Sequence, residues 1–188
     1  MPFTFRPLDL PGLVLIEPRT FGDQRGYFRE TFKASEFAGA GLPVAYAQDN
    51  LSHSTRGVLR GLHFQKPPQA QGKLVCAPRG EIFDVAVDLR RGSPTWGRWA
   101  AATLSDANGC LLYVPPGFAH GFCVLSAEAD VLYKVTAEWA PGLESGIVWN
   151  DPDLGVAWPL GQPVLSERDA ALPRLRDADP GFVYGGPA

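Results

Sequence analysis

A chain of 188 residues, 45% hydrophobic and 20% charged, is long enough to bury a full core. Its 17 basic and 20 acidic residues leave a net charge of −3, so it carries no global basic field for nucleic acid or an anionic membrane, and an anionic ligand must be held by a local pocket. Three cysteines, Cys76, Cys110 and Cys123, are odd in number and lack a CxxC spacing, which argues against a disulfide framework and a structural zinc site.

The N-terminal "MPFTFRPLDLPGLVLIEP" has prolines where a signal peptide needs an unbroken apolar core, and no later stretch is apolar for long enough to span a bilayer. The expectation is a soluble, cytoplasmic protein with a single domain over residues 1–188. "GLVLIEP" is the first predicted strand, and "TFKASEFAGAG" alone has helical character, with a serine cap and a glycine stop. Then come "VAYAQDN", "GVLRGLHFQ", "GKLVCAP", "GEIFDVAVDLR", "WGRWAAATL", "GCLLYVP", "HGFCVLS" and "ADVLYKVTAEW", separated by turn clusters such as "KPPQAQG", "RRGSPT", "SDANG" and "PPGFA". "GEIFDVAVDLR" alternates, with Phe83, Val85, Val87 and Leu89 on one side and Ile82, Asp84, Ala86 and Asp88 on the other, as in a half-buried strand. Many short strands at this spacing predict an all-β sandwich or barrel. The tail after "WPLGQPVL" is rich in Pro, Asp and Arg and should wrap the surface, with one helical turn at "SERDAAL".

Polar residues inside the strands carry the functional information. On a regular strand Arg60 shares a face with Val58, Leu62 and Phe64, while His63 lies on the other face with Leu59, Gly61 and Gln65. An interior glycine such as Gly61 often marks a bulge that re-aims its neighbours, so a common site for Arg60 and His63 stays open. Lys73 and His120 stand at strand starts, and Tyr133 and Trp139 share a face with Val131 and Val135. Taken singly, each of these residues also suits a structural role. Close paired histidines of a metal-binding β-barrel are missing, since His53, His63 and His120 are far apart and glutamine follows "LHF". GxSxG, P-loop and dinucleotide fingerprints are missing too.

"VLRGLHFQ", "QGKLV", "GEIFDVAVDLRRGSPTWGRW", "PPGFAHGF", "LYK" and "GIVWNDPDLGVAWPL", in this order, resemble the dTDP-4-dehydrorhamnose 3,5-epimerases, and the similarity runs from "LVLIEP" to "LSERDAALP". The resemblance implies a cupin-like β jelly roll with its core at about residues 45–150, a homodimer, a dTDP-sugar substrate, and no metal or other cofactor. It further implies His63 as base, Tyr133 as acid, Lys73 as the cation beside the carbon 4 oxygen, and Asp169 as the partner that orients His63. Arg25 and Glu30 are implied to reach the partner subunit's site; Gln48, Asp49 and Asn50 to meet the nucleotide end; and Arg60 to face the diphosphate. His120 is implied near the sugar, with Glu144 and Arg168 at the rim. Trp139 and Arg168 replace a common tyrosine and a common lysine, and Trp139 suits stacking on thymine. The implied activity is inversion at carbons 3 and 5 of a 4-keto-6-deoxy sugar nucleotide. Alternatives are an epimerase for one of these carbons, a metal-dependent cupin, and a non-catalytic sugar-nucleotide binding module.

Overall fold

A computed structural model describes residues 2–186. The strands among them, in chain order, are β1 (Phe3–Pro7), β2 (Val14–Pro18), β3 (Thr20–Asp23), β4 (Gly26–Arg29), β5 (Gln48–Thr55), β6 (Leu59–Gln65), β7 (Lys73–Arg79), β8 (Glu81–Asp88), β9 (Trp99–Ser105), β10 (Leu111–Val114), β11 (Phe118–Val124), β12 (Glu128–Val135) and β13 (Glu144–Gly146). They form a six-stranded sheet in the order β1-β2-β10-β7-β12-β5 and a five-stranded sheet in the order β13-β6-β11-β8-β9, with β3 and β4 as a separate hairpin. All the strand pairs are antiparallel, as alternating sequences and short turns require. The protein is thus a mostly-β, cupin-like jelly roll. No helix among the described residues is long and apolar enough to cross a membrane.

The two sheets face each other across a core that draws Leu15, Val75, Leu112 and Val131 from one sheet and Ile82, Ala86, Leu104 and Phe122 from the other. Parts of the outer sides are covered as well. Helix α1 (Ala34–Gly39) sets Phe37 against Ile16, Leu74 and Leu111 on the six-stranded sheet, and the tail lays Leu154, Leu175 and Phe182 over Leu62, Val85 and Val87 on the five-stranded sheet.

Several local expectations need correction. β8 is buried on both faces, because the tail covers the side that simple alternation assigned to solvent. Helix α1 begins after Lys33 without a side-chain cap, and Ser35 lies inside its first turn. The strand at "VAYAQDN" starts only at Gln48, and β12 stops at Val135, so Trp139 stands in the following loop rather than on the strand face with Tyr133. Strands β1, β3, β4 and β13 had no counterpart among the predicted elements.

One irregularity positions the site. His120 on β11 pairs with His63 on β6, but Phe122 pairs with Arg60, so three steps along β6 match two along β11. This bulge at Gly61 (φ +122°) turns Arg60 onto the same inward face as His63. The site left open by the strand pattern is therefore formed by the bulge.

Candidate active site

A cavity of about 460 Å³ opens between the two sheets and is lined by Arg60, His63, Lys73, His120, Tyr133, Glu144, Arg168 and Asp169, with Ser52, Phe122 and Ser166 completing its polar and apolar walls. The sheets divide these groups. β6 and β11 of the five-stranded sheet bring His63 and His120, which face each other as cross-strand partners. β7 and β12 of the six-stranded sheet bring Lys73 and Tyr133 from the facing wall.

His63 Nε2 lies 2.7 Å from Asp169 Oδ1, which assigns the tautomer that donates Nε2–H to the carboxylate and leaves the Nδ1 lone pair free. Asp169 arrives on α2 (Glu167–Ala170), where Ser166 caps the turn by accepting a bond from the Asp169 N–H at 3.0 Å. The Gly61 N–H donates to the other carboxylate oxygen at 3.4 Å. Burial raises the Asp169 pKa, but the bond and charge of His63 and the Gly61 amide outweigh it, so the carboxyl sits below its ordinary value. The carboxylate thus fixes the tautomer and the orientation of the imidazole.

Lys73 is buried, and its Nζ donates to the His63 carbonyl at 3.4 Å. Burial pulls its pKa down to about 8 against the opposing pull of Glu144 and Asp84. Tyr133 is half-buried, and burial followed by the charge of Glu144 raises its phenol above the ordinary value despite Arg60. It therefore holds its proton at neutral pH. Glu144 accepts from Arg168 Nη1 at 2.9 Å and from Trp139 Nε1 at 3.1 Å. Trp139 N–H donates to Gln48 Oε1 at 2.9 Å, and Gln48 Nε2 donates to Asn50 Oδ1 at 2.7 Å, a chain of bonds that continues the rim away from His63.

Gln48, Asn50 and Trp139 do not themselves line the cavity, and three further candidates stand apart from this chain of bonds. Asp49 faces outward because β5 alternates, and it pairs with Lys134 at 2.7 Å instead of joining Gln48 and Asn50 on the inward face. Arg25 lies in the β3–β4 turn, bonded to Asp23, and Glu30 follows β4. Neither Arg25 nor Glu30 lines the cavity of its own chain.

Some site residues were not singled out from sequence. Asp84 is fully buried behind His120 and meets its Nε2 at 2.8 Å through Oδ1, while its Oδ2 has no partner among the described residues. The signal was there: a carboxylate between Ile82 and Ala86 on the inward face of an apolar strand. Ser52 sets a hydroxyl with no partner among the described residues inside the cavity wall. No group of three or more His, Cys, Asp or Glu among the described residues has the arrangement of a metal site.

The arrangement can take a proton from one side of a bound molecule, return one from the other, and hold negative charge beside Lys73. The protein family model described as dTDP-4-dehydrorhamnose 3,5-epimerase matches residues 7–177. A Pseudomonas aeruginosa dTDP-4-dehydrorhamnose 3,5-epimerase is 56% identical over 92% of this chain and 96% of its own. A Streptomyces niveus dTDP-4-dehydrorhamnose 3-epimerase is 44% identical over 92% of this chain and 86% of its own. The crystal structure of the Legionella pneumophila dTDP-6-deoxy-D-glucose-3,5-epimerase in complex with dTDP-4-keto-L-rhamnose superposes with a TM-score of 0.90 at 47% identity, covering 94% of this chain and 95% of that one.

Proposed function

The chain belongs to the dTDP-4-dehydrorhamnose 3,5-epimerase family, and from that premise we propose that its cavity inverts carbons 3 and 5 of dTDP-4-dehydro-6-deoxy-D-glucose to give dTDP-4-dehydro-β-L-rhamnose. The observation that carries this reading is the placement of His63 and Tyr133 on opposing sheets with the sugar-sized cavity between them. Inversion needs a base and an acid on opposite faces of the ring.

The ketone at carbon 4 acidifies the hydrogens on carbons 3 and 5. His63 Nδ1 takes one of these protons, and the C–H electron pair moves toward the carbonyl to form an enolate whose oxygen carries the charge. The Lys73 ammonium stabilises that oxygen, an effect of about 10²–10³-fold for one well-placed donor in a dry site. Tyr133 then gives its proton to the same carbon from the opposite face, the ketone re-forms, and both side chains reset with solvent. The second carbon follows by the same steps. Arg60 holds the diphosphate, His120 meets the sugar, Glu144 and Arg168 stand at the rim, and Trp139 stacks on thymine with Gln48 and Asn50 at the nucleotide end.

Incubation in deuterium oxide, followed by NMR, tests the reading. Label at carbons 3 and 5 with both centres inverted supports it, label at one carbon assigns a single-position epimerase such as the Streptomyces niveus relative, and no label removes the activity.

Lys73 sets the alkaline limit. Its folded pKa lies below the ordinary lysine value, so the ammonium is lost as pH rises through about 8. The expected kcat/KM falls above that pH, and Lys73→Arg, which keeps its charge, moves the fall upward. A wild-type profile flat to pH 10 would take Lys73 out of the enolate's environment.

The reading extends to a cytoplasmic homodimer in which Arg25 and Glu30 reach the partner subunit's site. The β3–β4 hairpin supports it by exposing Phe21, Tyr27 (63%) and Phe28 (66%), an apolar surface suited to an interface. Phe28→Asp should give a monomer by sedimentation velocity with reduced activity. A fully active monomer would separate the hairpin from the site.

A further inference from the structure

Arg60 reaches from the bulge of β6 toward β5, the edge strand of the facing sheet. Its Nε donates to Ser54 Oγ at 3.0 Å and its Nη2 to the His53 carbonyl at 3.2 Å. Ser54 is buried on the inward face of β5, where it pairs with Ala129. Both acceptors are neutral, and Arg60 has no carboxylate partner among the described residues. A guanidinium has five N–H donors, so fixing one edge in this way leaves the Nη1 edge and the full positive charge for an anion.

We propose that Ser54 is a positioning residue: it holds Arg60 in the rotamer that clamps the substrate's diphosphate. The inference rests on Arg60 being the diphosphate contact. Ser54 does not touch the reacting atoms and acts through Arg60 alone. An unrestrained arginine samples many rotamers and must be ordered on each binding event, which weakens the clamp.

NMR titration with dTDP and with thymidine, which lacks the phosphates, reads this role. Ser54→Ala should weaken dTDP about tenfold, the effect of losing a hydrogen bond to a charged group, while thymidine binding stays the same. KM for the sugar nucleotide should rise more than kcat falls, and Ser54→Thr, which keeps the hydroxyl, should restore both. In an Arg60→Ala background, Ser54→Ala should have no further effect. If Arg60→Ala leaves dTDP affinity unchanged, the diphosphate assignment itself fails. If Arg60→Ala weakens dTDP but Ser54→Ala does not, or if the two losses add, Ser54 does not work through Arg60. Equal losses for dTDP and thymidine in Ser54→Ala would assign the serine a merely structural part.

Discussion

His63→Ala should stop deuterium incorporation at carbons 3 and 5 and lower turnover by at least about 10³-fold, within the range for loss of a general base, while leaving dTDP affinity nearly intact. With Nε2 committed to Asp169, Nδ1 is the ring nitrogen left for the substrate, so removal of the imidazole takes away a proton acceptor and little polar binding. His120 stands directly opposite on β11, and its Nε2 is held by a separate aspartate, Asp84. Exchange at the wild-type rate in His63→Ala would move the base to another residue. Residual exchange at one carbon alone would divide the two abstractions between two bases.

Gly61→Ala should damage both stability and catalysis. At φ +122° an L side chain is strained by about 1–3 kcal/mol, and its Cβ would fall 2.5 Å from the Gly121 Cα and 2.8 Å from the His120 carbonyl oxygen. These are backbone atoms of the neighbouring strand, so β6 and β11 must separate, at a further cost of about 1–3 kcal/mol. A Tm lower by about 10 °C is expected for a chain of this size. Because the bulge aims both Arg60 and His63, kcat should fall about 10²-fold and KM should rise together with it. Gly57→Ala supplies the control, since its φ is also positive (+84°) but nothing lies within 4 Å of the added Cβ. It should lose some stability and keep kcat. Unaltered kinetics in Gly61→Ala would mean that the bulge does not position the site.

The regular part of this fold was legible because short apolar runs bounded by turn residues report buried strands, as in "GKLVCAP" and "GCLLYVP". The β3–β4 hairpin was silent for the converse reason: Thr20–Asp23 is exposed along its length and has no buried face to pattern. The double burial of β8 depends on a tail more than sixty residues away, which no local window contains. Among the site residues, His63, Lys73, Tyr133 and Asp169 came from the motif resemblance, and the structure brings all four to one cavity. Spacing alone put Arg60 and His63 on opposite faces, because a strand pattern counts residues evenly and a bulge does not. Asp49 was grouped with Gln48 and Asn50 by adjacency, although neighbours on a strand point apart. The same alternation, applied to "QDNLSHST", would have selected Gln48, Asn50, Ser52 and Ser54 as an inward polar row.

His63 and Tyr133, the proposed base and acid, are carried by different sheets, so the gap between them depends on the packing of the sandwich, on side chains such as Ile82, Leu112 and Val131 that do not line the cavity. The hydrocarbon interior thus works as a gauge block between the two proposed proton carriers. On the proposed mechanism, methylene groups deep in the core become part of the stereochemical outcome, since a thinner or thicker filling changes which face of the sugar each carrier can reach.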